Sequence, residues 1–343
     1  MKKNILVTLA DRNYIKQAQQ LFSGVYWNAG WKGDYMLLAY DIPENDLMWF
    51  RDKGILVRVC EPVLTESGTR IGHAPLTTLS KFYLFTHEFK KWKNIVFLDG
   101  DIVVRGSLAT LADVKGFGAV RILNVFRTKL KGQFCNPDGR NKHLFEKLKT
   151  RCDLNRPAFN SGVMAFSTDI ITENDFENLK NILFQFQKII IISEETVLNI
   201  YFYDKWQELS QIYNICPGYE MYHAECASDD LNGIILHTYS CFPGGKPWYP
   251  ASPLNAEWKS NLDKADRMDI ANPQMPEKIL SKREETQYDF YLKNLHKNNL
   301  FKFYRYKIRY HYKYNKYRVL AAAFLKNKYP KIYQLQRKLR NVS

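Results

Sequence analysis

Asn94-Ile-Val-Phe-Leu-Asp-Gly-Asp-Ile-Val-Val104 delivers four apolar residues to an acidic pair and carries the chain away on three more. An apolar burst of strand length that does not alternate with polar residues predicts a strand covered on both faces. Ile5–Ala10, Tyr35–Tyr40 and Ile55–Val59 are bursts of the same kind, and Tyr14–Tyr26 and Leu79–Phe89 between them carry helical spacing. Such alternation predicts an α/β layer architecture with mostly parallel strands. The pattern loosens after Gly106, where Gly118–Leu123, Gly162–Phe166 and Ile234–His237 are further strand candidates. In open α/β sheets ligands bind beyond the carboxyl ends of the strands. The polar residues there are Asp11 and Asn13 after the first strand, Asp99 and Asp101 after the fourth, and His237 after the last.

The 343 residues, 45% hydrophobic and 25% charged, suffice for a large core and exclude wholesale disorder, a collagen-like chain or a disulfide mini-scaffold. The net charge of +15 is unevenly placed. From His296 to Ser343 there are 14 Lys and Arg and no Asp or Glu, which leaves the preceding body nearly neutral. The six cysteines contain no C-x-x-C pair, so free thiols in a reducing cytosol are expected. The apolar run after Met-Lys-Lys-Asn is too short for a signal peptide, and no window approaches the length of a membrane span. The reading divides the chain into a catalytic domain over 1–255, a polar helical extension over 256–295 and a basic aromatic tail over 296–343.

Four segments carry chemistry. Two carboxylates flanking Gly100 at a strand end suit a shared divalent cation, with the glycine letting the backbone turn closely around it. A bare D-x-D is equally a solvated turn. Apolar flanks shift the balance, because two half-buried carboxylates repel unless a cation or proton joins them. Asn160-Ser161-Gly162 places small hydrogen-bonding groups at the mouth of a strand, or else forms a polar turn entering an edge strand. Ser193-Glu194-Glu195 before an apolar run reads as a capped helix start, with either glutamate able to face a sugar hydroxyl or a developing positive charge. His237, then Gly244-Gly245-Lys246-Pro247-Trp248, offers an imidazole ligand and a mobile ammonium for phosphate; it lacks the Walker spacing, and Pro247 bars a helix there.

Taken together, Val7–Tyr14, Phe97–Val103, Phe159–Gly162, Glu194–Asn199 and His237 with Gly245–Trp248 resemble glycosyltransferase family 8 over about residues 3–250. The family comprises retaining enzymes, glycogenin and bacterial lipopolysaccharide galactosyl- and glucosyltransferases among them. The resemblance implies a GT-A fold, a Rossmann-like mixed and mostly parallel sheet with helices on both faces. It further implies Asp99, Asp101 and His237 as ligands of manganese or magnesium, with Gly100 between them. Thr8, Ala10, Asp11 and Asn13 would hold the uridine of a UDP-sugar, Lys81 would assist at the donor, and Gly245 and Lys246 would meet its diphosphate. Asn160 and Ser161 would face donor sugar and acceptor, Glu194 would bind sugar hydroxyls, and Glu195 is the nominee for any covalent route. Two features depart from the family pattern. The spacing from His237 to Lys246 is three residues longer than usual, and the common Asp-Gln pair is Glu194-Glu195.

The chemistry of these residue types agrees, because an ion held by two carboxylates and an imidazole, opposite a lysine, neutralises charge on a departing diphosphate. Oxygen-rich ligation with one imidazole suits Mn²⁺, with Mg²⁺ the competitor. The rival enzyme class is a sugar nucleotidyltransferase or phosphohydrolase using the same metal-phosphate site. In the tail, Leu300–Arg318 interleaves aromatic and basic residues. Three readings compete for it: a peripheral anchor on the anionic inner face of the cell membrane, nucleic-acid binding, or a solvated cationic helix. The first is preferred because a sugar transferase often needs a lipid-linked acceptor. The expectation is therefore a cytoplasmic, membrane-peripheral hexosyltransferase in lipopolysaccharide or capsule biosynthesis.

Overall fold

A computed structural model describes residues 3–64, 70–122, 129–135, 141–215, 233–238, 245–287 and 289. The basic aromatic tail lies outside the described residues, as does the stretch 239–244 between His237 and Lys246. The chain divides into two units, Met1–Leu292 and Lys293–Ser343, and only the first is described below.

The unit opens with strand β1 (Ile5–Ala10), helix α1 (Ile15–Ala29), β2 (Asp34–Ala39), α2 (Glu44–Asp52) and β3 (Leu56–Val59). A two-residue hairpin, β4 (Arg70–Ile71) and β5 (Ala74–Pro75), leads into two 3-10 segments, Leu76–Phe85 and His87–Lys91. Then come β6 (Asn94–Leu98), β7 (Ile102–Val104), β8 (Phe117–Arg121), α3 (Lys142–Lys149) and β9 (Phe159–Ser167). Helices α4 (Asp175–Phe186) and α5 (Ser193–Tyr201), strands β10 (Trp206–Leu209) and β11 (Ile235–His237), and helix α6 (Asn255–Asp263) complete the series.

Seven strands form one sheet in the order β10-β8-β9-β6-β1-β2-β3. All pairs are parallel except those of β9, which runs antiparallel to both β6 and β8. The expected mixed, mostly parallel sheet is therefore present. Strands β1 and β6 are buried at every residue because each face of the sheet carries its own core. Ile5, Val7, Leu9, Ile95 and Phe97 join a cluster with the 3-10 segments, α4 and α5. Leu6, Ala10, Val96 and Leu98 join another with α1 and α2. Helices thus cover both faces.

Two local expectations are corrected. The helical spacing over Leu79–Phe89 is realised as 3-10 turns, broken at Thr86, whose backbone is extended. In addition, β9 is an interior strand, so Asn160-Ser161-Gly162 does not enter an edge. Residues after 255 are stitched to the sheet unit. Helix α6 packs on α1, Arg105 just after β7 forms a 2.7 Å ion pair with Glu257, and the Tyr26 hydroxyl donates to the Asn272 carbonyl at 2.9 Å. Among the described residues no helix is long and apolar enough to cross a membrane.

The first core is aromatic at its centre. Phe85 stacks on Phe166 with ring centroids 4.9 Å apart, and Phe117 stacks on Phe202 at 3.9 Å. Phe166→Ala removes a fully buried ring between strand and 3-10 segment. It is expected to lower unfolding free energy by about 3–5 kcal/mol, read from urea denaturation at unchanged slope.

Candidate functional site

Backbone register, rather than proximity in sequence, assembles the site. Asp99 and Asp101 follow the carboxyl end of β6. Because β9 is antiparallel to β6, its entry residues lie beside that end, and the Asp99 N–H donates to the Gly162 carbonyl at 2.9 Å. Strand β11 pairs antiparallel with β7, setting His237 opposite Ile102 and hence next to Asp101. His237 Nε2 lies 3.1 Å from Asp101 Oδ1 and 4.0 Å from Asp99 Oδ2. One ligand atom from each of Asp99, Asp101 and His237 falls within 4.8 Å of the others.

Gly162 makes this approach possible. A Cβ at that position would stand 2.2 Å from His237 Cε1 and 2.8 Å from Asn160 Oδ1. The imidazole therefore lies against bare backbone. Gly100 needs no such exemption from its protein neighbours, since a Cβ there would meet Tyr14 Cδ1 at an ordinary 3.4 Å and its φ is not positive. Gly245 adopts φ +77°, the left-handed region that glycine occupies without strain.

Charges in the site sort into two groups. Lys81, only 1% exposed, sits on the first 3-10 segment with Nζ 2.9 Å from Asp99 Oδ1 and 3.0 Å from Glu194 Oε1. It also donates to Ser161 Oγ at 3.2 Å. Burial opposes a charged Lys81, but Asp99 and Glu194 outweigh it and hold the ammonium above the ordinary lysine value. Burial likewise pushes Glu194 up, and Lys81 with Thr78 reverses that to about 2. The second group surrounds Asp101, where Lys246 pairs with Oδ2 and donates to the Thr238 carbonyl at 2.8 Å. Burial would raise Asp101, but His237 and Lys246 hold it well below the carboxylate range. Burial and the nearby Asp101 push Asp99 up, against the pull of Lys81.

The donor set fits a hard divalent cation. Two carboxylates and one imidazole converge, and Asn214 Oδ1 engages the far ring nitrogen of His237 at 3.0 Å, leaving Nε2 toward the carboxylates. Other expected residues play more varied parts. Thr8 is fully buried and donates its hydroxyl to the Leu98 carbonyl at 2.7 Å, so its side chain serves the strand junction. Ala10 is 1% exposed, and its carbonyl accepts from the Tyr40 N–H. Asp11 Oδ1 accepts from the Asn13 N–H at 2.9 Å, the turn that launches α1, while Asn13 is exposed. Ser161 and Glu194 meet at 3.2 Å; Glu195 accepts from Asn160 Nδ2 at 2.8 Å, the Ser161 N–H at 3.2 Å and Gln133 Nε2 at 3.1 Å. Sequence reasoning passed over Asn214, Gln133 and Tyr14. The burial of Tyr14, followed by the charges of Asp101 and Asp99, pushes its phenol far up. Only Tyr14 had a signal, its place just after the Asp11 turn.

A model of glycosyl transferase family 8 matches residues 5–251. Glycosyltransferase GlyF of Streptococcus pneumoniae is 26% identical over 278 residues, 75% of this chain and 61% of that protein. Galactinol synthase 5 of Arabidopsis thaliana is 26% identical over 219 residues, 61% of this chain and 62% of that protein. The chain thus spans about three fifths of the length of these curated relatives. Among solved structures, the galactosyltransferase LgtC, in complex with donor and acceptor sugar analogues, has a TM-score of 0.56 at 17% identity, covering 76% of this chain and 95% of that one. The bifunctional glycosyltransferase WbbM also reaches 0.56, at 18% identity, over 76% of this chain and 50% of that one. At such identities the likeness concerns the fold, and the fold is theirs.

Two outcomes follow from the geometry. Lys81→Met leaves Asp99 and Glu194 facing each other without their cation and is expected to cost about 3–5 kcal/mol. Adding Glu194→Gln to that variant should recover part of the loss, and a double-mutant cycle by urea unfolding measures the coupling. Gly162→Ala forces the ring or the strand aside at about 1–3 kcal/mol, checked by the fall in thermal midpoint.

Proposed function

The chain belongs to glycosyl transferase family 8, and from that premise we propose that it moves a hexose from a UDP-sugar to a glycan or glycolipid acceptor with retention at the anomeric carbon. The observation that carries this reading is the convergence of Asp99, Asp101 and His237 within 4.8 Å beside the ammonium of Lys246. Asp99, Asp101 and His237 would hold a divalent ion, Mn²⁺ before Mg²⁺, which supplies Lewis-acid neutralisation of the diphosphate, worth several kcal/mol at the moment the glycosidic bond breaks.

The remaining steps belong to the chain's own groups. Lys246 exchanges Asp101 and the Thr238 carbonyl for the diphosphate, so a positive charge meets the leaving group as its negative charge develops. Lys81 holds the Glu194 carboxylate ionised and fixed, ready to accept from sugar hydroxyls. The polar residues after β1, Asp11 and Asn13, lie at the same end of the sheet, where the nucleoside would rest. Front-face attack, with the acceptor proton passing to the departing diphosphate, asks no nucleophile of the protein. The basic aromatic tail would hold the enzyme on the anionic inner face of a cell membrane. There lipid-linked acceptors for lipopolysaccharide or capsule are presented.

A donor screen that follows UDP formation with and without Mn²⁺ tests the reading. UDP release from at least one UDP-hexose is expected, abolished by chelation and by Asp101→Asn while the far-ultraviolet circular dichroism still reads a folded chain. Undiminished turnover by metal-free Asp101→Asn, or release of sugar 1-phosphate or inorganic phosphate instead of UDP, would overturn it.

A further inference from the structure

A chain of hydrogen bonds of fixed polarity runs from the start of helix α5 to the imidazole of His237. Asn160 Oδ1 accepts from the Gly162 N–H at 3.0 Å, and a backbone N–H is only ever a donor. On its other side Asn160 Nδ2 donates to Glu195 Oε2 at 2.8 Å, an oxygen that also accepts from the Ser161 N–H at 3.2 Å. These two anchors fix which way the Asn160 amide points. Asn214 must then present its NH₂ to Asn160 Oδ1, which it does at 2.8 Å. Its oxygen is consequently turned to His237 Nδ1, at 3.0 Å. An acceptor at that distance calls for a proton on Nδ1. The other ring nitrogen, Nε2, is left to face Asp101 Oδ1 at 3.1 Å and Asp99 Oδ2 at 4.0 Å. All four side chains are buried, with Glu195 4%, Asn160 7%, Asn214 3% and His237 4% exposed, so the polarity is not averaged by water.

We propose that Asn214 is a positioning residue that selects the His237 tautomer, through a relay Glu195–Asn160–Asn214–His237 that commits Nε2 to the metal. The proposal rests on the metal-dependent reading above and assigns a task to residues which that reading leaves without one. It also couples two parts of the site. Asn160 stands at the entry of β9 and His237 at the end of β11, so a disturbance at the sugar-facing strand reaches the imidazole through two amides. Outer partners of this kind typically change metal affinity by about 10–100-fold when removed.

The test uses the full-length chain. Mn²⁺ affinity is read from the electron-paramagnetic-resonance signal of free ion. The His237 ring is read by long-range ¹H–¹⁵N correlation on histidine-labelled protein with Cd²⁺ as a diamagnetic probe. In the unaltered chain, Cd²⁺ should shift one histidine at Nε2 while its Nδ1 stays protonated. Asn214→Leu, similar in size but without polarity, should weaken Mn²⁺ binding at least about tenfold and release the ring to both tautomers. Asn214→Asp keeps an acceptor for Nδ1–H but sets its second oxygen against Asn160 Oδ1, so it should keep Nδ1 protonated and bind Mn²⁺ more tightly than Asn214→Leu. Equal Mn²⁺ affinity in folded Asn214→Leu, Cd²⁺ bound through Nδ1, or loss of the Nδ1 proton in Asn214→Asp each overturns the proposal. Should Asn214→Leu not fold, the ring nitrogen seen in the unaltered chain and the Asn214→Asp variant still decide it. Failure of the unaltered chain to bind either ion would instead remove the metal-dependent reading itself, and this proposal with it.

Discussion

Charge buried at strand ends is the constraint around which the unit is organised. Asp99 and Asp101 emerge from a strand with no exposed residue, and Glu194 faces them from a helix start that is itself buried. Taking carboxylates out of water costs several kcal/mol each unless cations or donors replace the solvent. The fold answers with Lys81, placed almost without exposure between Asp99 and Glu194, and with His237 and Lys246 against Asp101. The 3-10 geometry over Leu76–Phe85 follows the same need. It buries Leu79, Phe82 and Phe85 in the aromatic core while Lys81, on the same segment, reaches the acidic cluster.

The assembly depends on two antiparallel pairings in a mostly parallel architecture. β9 brings its first residues, not its last, to the carboxyl end of β6, so that Asn160 and Ser161 share the mouth with Asp99. β11, paired with β7 outside the main sheet, returns His237 to a carboxylate more than a hundred residues earlier. Such non-local closure tolerates little slack. Gly162 sits where the two meet, and the ring packs so closely on it that no side chain fits.

Strands, layers and the acidic-histidine set were legible because each announces itself locally, as an apolar burst or a polar residue at its end. Ile5–Ala10 is strand β1 to the residue, and Asp99, Asp101 and His237 meet as their types suggested. What stayed hidden depends on facing rather than identity. Thr8 lies on β1 within the right motif, yet its hydroxyl turns to Leu98, because the strand is buried on both sides. Of the two site glycines, the one that close approach of the protein's own groups requires is Gly162, not the Gly100 framed by carboxylates; the packed ring of His237 and the amide oxygen of Asn160 distinguish them. Asn214 carries no signal at all, standing in a short 3-10 exit whose neighbours are ordinary core residues.

The departure of Glu195 from the family's glutamine finds its reason in the donors around it. Asn160 Nδ2 and the Ser161 N–H converge on one oxygen and Gln133 Nε2 on the other. A carboxylate meets these three donors with two accepting oxygens, whereas a glutamine has one and would ask the Gln133 amide to turn its own oxygen inward. The carboxylate thus fixes the β9 entry and the orientation of Asn160. The second carboxylate at the start of α5 is therefore part of the frame at the mouth of β9, tying the strand entry to the helix through donors on both of its oxygens.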